Sequence, residues 1–487
     1  MDYLDPQKQS RHRIIMLVGY VVIAIAIVTA TMILMYQAYG FGIGQHGTVI
    51  QNGLVFMSSQ PVSAQISIDG VNKTQTSARL VLPSGIYNFK LTRSGYHDWQ
   101  RAIEVQGGSV THYDYPLLIP TTLKPVKLQD FTVAPYTTTQ SPDRRWLLIQ
   151  RVNTPTFDLF DLKSTTKLPI TLSLPVSIIT KAKASESWQT LDWADDNQHL
   201  LVQHNYDSKF EYILIDRQNI DQSVNLSTTL AISDARLSLR EKKYDQYYVY
   251  DNATASLKTA GLITPVLAPL LERVLSYKTY GPGSVLYITD TEAPAGKVLL
   301  KLMSGSQTYI IRSFPTGGNY LIDITVYSGK LYVAAGLVSE SKVYIYKDPV
   351  GQLKTLPDHA VVPIQVLHIN NPSYLSFSTS LSQFVLAENG TQFAVYDLEN
   401  RNGYRYVTSS TIDAPQTHAN WTDGSHLTYD SNGKLVIFDF DSANQQTLAT
   451  ASPDYLPFFS ADYRTMYYFT LGTDQIWTFN QVSLLAS

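Results

Sequence analysis

The chain has no cysteine in 487 residues. That absence excludes disulfide scaffolds, thiolate zinc sites, iron–sulfur clusters and cysteine nucleophiles together. Charge is scarce as well: Asp, Glu, Lys and Arg make up 16%, against the ~25% usual for soluble proteins. The formal net charge is −3 and no long run of one sign occurs, so nucleic acid is not expected as a partner. The sequence also lacks an H-E-x-x-H helix, a P-loop, a G-x-S-x-G elbow and an EF-hand loop, and no catalytic, cofactor or metal residue is assigned. What is abundant is tyrosine, with 33 residues, a side chain suited to half-buried sheet surfaces. At ~150 residues per domain the length allows about three domains.

Residues 14–36, Ile14 to Tyr36, carry no charge. As a helix these 23 residues reach about 34 Å, enough to cross a bilayer. Lys8, Arg11 and Arg13 precede the run, and no Lys or Arg follows until Lys73. The positive-inside bias therefore places a tail, residues 1–13, in the cytoplasm and everything after the helix outside a cell membrane. The competing reading is a cleaved signal peptide, with small residues at Ala38 and Gly40, but signal h-regions are typically ~7–15 residues long. Gly42-Ile43-Gly44-Gln45-His46-Gly47 matches the dinucleotide fingerprint, yet it lacks the strand before and the helix after that the phosphate site needs. It is read as part of an exit linker over residues 37–55.

Beyond the linker, Ala64-Gln65-Ile66-Ser67-Ile68 alternates apolar and polar residues and ends in Asp69-Gly70, a dipeptide that accepts positive φ in a hairpin turn. In Ile86 to Leu91, the residues Tyr87, Phe89 and Leu91 share one face, the expected core face. Trp99, Ile103 and Val105 continue the pattern toward Gly107-Gly108. The ordered set Ser59, Pro61, Ala64, Ile66, Ile68-Asp69-Gly70, then Leu82-Pro83-x-Gly85-x-Tyr87, then Gly95-Tyr96-x-x-Trp99 resembles the PEGA domain over residues 56–118. Val62 and Ser63 stand where the name-giving Glu and Gly would be, and Gln75 replaces a frequent turn Gly. The resemblance implies a small β-sandwich-like module of the kind carried by exported surface proteins. Tyr96 and Trp99 are read as core aromatics rather than a sugar platform.

Pro116, Pro120 and Pro125, with Thr121-Thr122, mark a joint over residues 119–129. From residue 130 to 487, short alternating strands recur with turn clusters, and only Leu267 to Leu275 hints at a helical period. Asp143, Asp196, Asp423 and Asp462 each precede Leu147, Leu200, Leu427 and Met466 by four residues. Asp143 and Asp196 lie 53 residues apart and Asp423 and Asp462 39 apart, while the 227 residues between Asp196 and Asp423 divide into about five units of ~45. The four hidden units are placed near Asp234, Val274, Asp323 and Leu367. Their middle strands are residues 246–250, 285–288, 330–333 and 384–387. The Asp turns resemble the Ser-Pro-Asp-Gly signature of Tol-type and WD-type β-propellers, which implies that these Asp side chains form turns by accepting backbone amides. Eight blades are counted, with seven as the alternative, and the last strand, near Gln481 to Leu485, is expected to close the ring against residues 126–150.

The fold expected is thus mainly β: a transmembrane helix, a PEGA-like sandwich and a C-terminal propeller. His199 and His204, five apart on a strand, point in different directions. Asp192, Asp195 and Asp196 lack the ligand spacing of a calcium loop. Sequons at Asn72, Asn225, Asn252, Asn389 and Asn420 would mark surface loops in a glycosylating host. The function expected is a membrane-anchored surface binding or scaffold protein whose partner is an envelope protein or cell-wall glycan, without a cofactor. The rivals are an exported polysaccharide hydrolase or lyase, and a spacer that binds nothing specific.

Overall fold

In a computed structural model the chain divides into two compact units, Met1–Thr122 and Leu123–Ser487. The structure describes residues 6–38, 41–43, 49–152, 154–356, 359–408 and 410–485. The start of the expected tail, Tyr39-Gly40 of the small-residue stretch and residues 44–47 of the glycine motif lie outside those residues.

Pro6–Ala38 is one helix that contains the whole uncharged run. Its segment Arg11–Tyr36 has a mean hydropathy of 2.6 and is long and apolar enough to cross a membrane. Leu17, Tyr20, Ile27, Val28 and Leu34 are all exposed, so the apolar surface runs around the whole circumference, as it does for a helix solvated by hydrocarbon.

The sandwich has two four-stranded sheets. One holds Phe41–Ile43, Val49–Met57, Ala78–Pro83 and Val110–Tyr113, and the other Val71–Gln75, Gln65–Ile68, Gly85–Thr92 and Trp99–Val105. Val49–Met57 starts inside the stretch read as linker, because Asn52-Gly53 interrupts its alternation. Gly53 is needed there: a Cβ would lie 2.5 Å from the Gln106 carbonyl oxygen. At the hairpin, Asp69 (φ 49°) and Gly70 (φ 81°) both take the left-handed conformation that a two-residue turn of this hand requires. Asp69 Oδ1 accepts the Asn88 amide at 2.9 Å. Tyr96 and Trp99 are buried with Phe89, Leu91 and Ile103 between the sheets, whereas Ile86 is 73% exposed.

The second unit contains eight antiparallel four-stranded sheets, seven of them in sequence order and the eighth completed by the unit's first strand. Numbered as blades, they span residues 138–173, 186–225, 235–271, 274–315, 320–368, 374–407, 420–450, and 458–483 with Pro125–Phe131. First strands of successive blades touch one another, as in blades 4, 5 and 6, which makes them the inner strands of a propeller. The ring closes where Trp477–Ser483 pairs with Pro125–Phe131, from Trp477 opposite Phe131 to Val482 opposite Pro125. Residues 125–129, read as linker, are therefore the outermost strand of blade 8, where only one edge is paired and a proline is tolerated. Large side chains fill the gaps between blades, among them Phe157 against Trp188 at 5.9 Å, Phe384 against Phe440 at 4.0 Å and Phe160 against Phe479 at 5.2 Å.

All four middle strands of the hidden units are second strands of blades 3 to 6. Two expectations are corrected. Leu267 to Leu275 is not helical but spans parts of the strands Ala268–Leu271 and Val274–Tyr280, since its short apolar run fits both periods. Leu367 does not open a blade but lies in the outer strand of blade 5, Gln365–His368, and blade 6 begins at Tyr374–Phe377.

Replacing Trp99 by Ala removes the largest fully buried side chain of the sandwich and is expected to cost about 3–5 kcal/mol there. Hydrogen exchange should accelerate in Gly85–Thr92 and Trp99–Val105, while Phe384–Glu388 of blade 6 keeps its protection.

Candidate functional site

The Asp turns join the first and second strands on one face of the ring. Asp196 Oδ1 accepts the amides of Gln198 at 2.8 Å and His199 at 3.0 Å, and Asp423 Oδ1 those of Ser425 and His426, both at 2.9 Å. Asp143 and Asp462 accept the amides of Arg145 at 3.1 Å and Arg464 at 3.2 Å. Each also takes a serine hydroxyl, Ser141 at 2.5 Å and Ser460 at 2.7 Å. In three blades the residue after the turn also reaches an Asp at the end of the third strand. Arg145 grips Asp161 through two bonds of 3.0 and 2.7 Å. His426 lies 2.7 Å from Asp423 and 3.3 Å from Asp439, and His199 lies 2.6 Å from Asp196 and 3.7 Å from Asp216. Burial opposes a charge on His426, but the carboxylates of Asp423 and Asp439 outweigh it and raise its pKa to about 10. The chain-end signal for these locks was legible in the third strands, as Phe160-Asp161, Ile215-Asp216 and Phe438-Asp439, and sequence reasoning missed it.

Three further perturbed acids, Glu388, Asp430 and Glu211, fasten connections on the opposite face. Glu388 is fully buried; one oxygen accepts the Ala419 amide at 2.8 Å and the other has no hydrogen-bond partner. Burial raises its pKa to about 8. Asp430, at the matching place in blade 7, is held by Gln416 and is raised to about 6 by burial. Glu211 is pushed up by burial, yet bonds from His204, Thr180 and Asn225 prevail and bring it to about 2. His204 stacks on Trp188 at 4.2 Å and His199 on Tyr244 at 4.0 Å, on opposite sides of one strand. Asp192 bonds Lys242 while Asp196 bonds His199. Among the described residues no group of three His, Cys, Asp or Glu is placed to hold a metal ion. Four sequons do not project freely: the amide nitrogens of Asn225, Asn252, Asn389 and Asn420 donate within the fold.

A cleft lies on the inner side of blade 8. The first strands of blades 7 and 8, Asn420–Trp421 and Phe458–Phe459, have two residues each, where the same strand runs to eight in blade 2. The inner wall recedes there and leaves about 360 Å³ bounded by blades 7, 8 and 1. Trp421, Leu456, Pro457 and Phe458 supply apolar walls, and Gln140, Arg144, Asn420, Thr422 and Thr428 supply polar groups. The Arg144 guanidinium lies over the Tyr463 ring at 4.2 Å and donates to the Thr422 carbonyl at 2.9 Å. No carboxylate pairs with it among the described residues. The Thr422 hydroxyl is buried without a hydrogen-bond partner. The residue following each turn Asp has positive φ: Arg144 57°, Asn197 57°, Gly424 105° and Tyr463 55°. Asn and Gly suit that conformation, whereas Arg and Tyr do not. Arg144 and Tyr463 are the stacked pair beside the cleft, and the same left-handed conformation recurs in other turns of the chain, as at Arg273 (53°) and Arg401 (57°).

Residues 52–119 match the PEGA domain family model. No curated protein matches the chain. Among solved structures, the Dos1 propeller is 14% identical with a TM-score of 0.46, covering 74% of this chain and 96% of that one. An oligogalacturonate lyase in complex with manganese is 10% identical with a TM-score of 0.40, covering 74% and 98%. The Myceliophteria thermophila Cps50 (Swd1) β-propeller domain is 11% identical with a TM-score of 0.36, covering 73% and 99%. These likenesses carry nothing about ligand or activity.

Two buried groups make stability depend on pH in overlapping windows that single substitutions separate. The His426 pKa is raised from 6.5 to about 10, so its contribution is complete below pH 6.5 and is lost as pH rises through about 10. His426→Gln should lose on the order of 3 kcal/mol at pH 6 and flatten the fall of the melting temperature above pH 7. Folded Glu388 keeps its proton up to about pH 8, whereas its unperturbed carboxyl releases it near 4.5, so stability falls across that window. Glu388→Gln should gain on the order of 3 kcal/mol at pH 8 and nothing at pH 4.5. Thermal melts from pH 4 to 10 read both.

Proposed function

We propose that this chain is a membrane-anchored, non-catalytic binding protein that presents its propeller outside the cell and takes its ligand in the cleft of blades 7, 8 and 1. The observation that carries the reading is the chemistry of that cleft. It offers one cation without a counter-ion, amide and hydroxyl groups, and aromatic walls, but no acid and base side by side among its lining residues. An exported hydrolase or lyase would need acids converging on such an opening. Here the acids held most strongly away from their ordinary ionisation are tied into the blade locks and the connections between blades.

The anchor and its orientation rest on the helix Pro6–Ala38 and on the bias of Lys8, Arg11 and Arg13 to its N-terminal side. With both β units outside, a partner in the envelope, a wall polymer or a protein displaying one, is the ligand within reach.

Protease added to intact cells expressing the full chain is expected to remove the mass beyond residue 45 and leave a membrane-protected fragment of a few kilodaltons. Full-length protein that survives such treatment while lysed cells lose it would overturn the orientation. For binding, the full chain in lipid nanodiscs is expected to co-sediment with insoluble wall polysaccharide, and Leu456→Trp, at a 43% exposed position of the cleft rim, to lower the bound fraction several-fold. Equal sedimentation of the variant would move the site elsewhere.

A further inference from the structure

Resting on that reading of the cleft, we propose that it is a site for an acidic sugar, a uronate-type ring whose carboxylate is anchored by Arg144. Two observations converge there. The guanidinium has no carboxylate partner among the described residues and donates instead to the Thr422 carbonyl at 2.9 Å. The Tyr463 ring covers one face of that guanidinium at 4.2 Å, which fixes its plane and leaves further N–H groups at its edge for a planar anion.

The choice among anions follows from the lining. One guanidinium suits a singly charged carboxylate. A phosphate is better served by several cations or by a ring of backbone N–H groups, and Arg144 is the only Lys or Arg that lines the cleft. The remaining polar groups exceed what a carboxylate needs. Gln140 Nε2 bonds the carbonyls of Arg144 and Phe459, at 3.1 and 2.9 Å, leaving its Oε1 as an acceptor. Asn420 Nδ2 bonds the His418 carbonyl at 3.3 Å, leaving its Oδ1 as a second acceptor. The Thr422 hydroxyl, 95% buried, has no partner. Acceptors and a hydroxyl set beside Trp421 and Phe458 match a ring with several hydroxyls on its rim and a flat C–H face. A cleft of about 360 Å³ admits a ring of that size.

The test is calorimetric titration of the full chain in nanodiscs with D-glucuronate, D-glucose, inorganic phosphate and N-acetyl-phenylalanine, at pH 7. Glucuronate is expected to bind at least tenfold more tightly than each of the others. Arg144→Gly relieves the backbone and is expected to melt no lower than the parent, yet to lose at least tenfold in glucuronate affinity. Arg144→Lys, which keeps the charge without the planar fork, should fall between the two. Absence of glucuronate binding, tighter binding of phosphate or N-acetyl-phenylalanine, or unchanged affinity in Arg144→Gly would each overturn the proposal. Equal binding of glucose and glucuronate, abolished by Leu456→Trp, would overturn the acidic-sugar assignment while leaving the cleft as a binding site. Binding that Leu456→Trp leaves untouched would overturn the cleft itself.

Discussion

The pairing of Trp477–Ser483 with Pro125–Phe131 is the constraint on which the second unit depends. Each four-stranded sheet can bury its two faces only against neighbouring sheets, and an open row of eight would leave one face of the first and one face of the last blade in water. Building blade 8 from both ends of the unit removes that problem. Phe160 of blade 1 can then pack on Phe479 of blade 8 at 5.2 Å, and the Tyr467 hydroxyl can reach the Leu162 carbonyl at 3.0 Å. Closure also sets the position of the cleft, because it brings the turn of blade 1 that carries Arg144 beside blades 7 and 8.

Polar groups in the ring serve the same geometry. On one face, Asp turns and third-strand Asp residues hold each sheet's own hairpins. On the other, Glu388, Asp430 and Glu211 hold the chain as it passes from blade to blade. The shifted ionisation of Glu388, Asp430 and Glu211 has a local cause, burial in competition with named hydrogen bonds, and none of the three lines the cleft. A residue far from its ordinary pKa is a common mark of a reactive site; here the mark falls on fasteners.

How much was legible in the sequence depended on how each blade makes its first turn. Blades 1, 2, 7 and 8 use an Asp and were found. Blade 5 turns in two residues, Ser328 and Gly329, at φ 46° and 70°. Blade 6 lets the Ser378 hydroxyl accept the Phe384 amide at 3.2 Å. Blade 4 turns through Gly281, Pro282 and Gly283, and blade 3 through the short helical turn Arg240–Lys242. These are different chemical solutions to one backbone path, so no shared residue marks them and only the apolar second strands survived as a signal. The closing strand was read as linker because an outermost strand, paired on one side only, tolerates the proline and polar residues that otherwise mark a joint. The cleft was not legible at all: it arises from two inner strands being short, and its cation stands in a turn that no motif distinguishes from the others.

The complete absence of cysteine makes the central claim, a closed ring of eight blades, directly testable. Thr478 and Asp130 are opposite one another in the closing pair and share a hydrogen bond of 2.9 Å. Thr478→Cys combined with Asp130→Cys, mildly oxidised in the full-length chain, should give a near-quantitative intramolecular disulfide, seen as a thiol-reversible shift in electrophoretic mobility. Two thiols that stay free in the folded protein would contradict the closed ring.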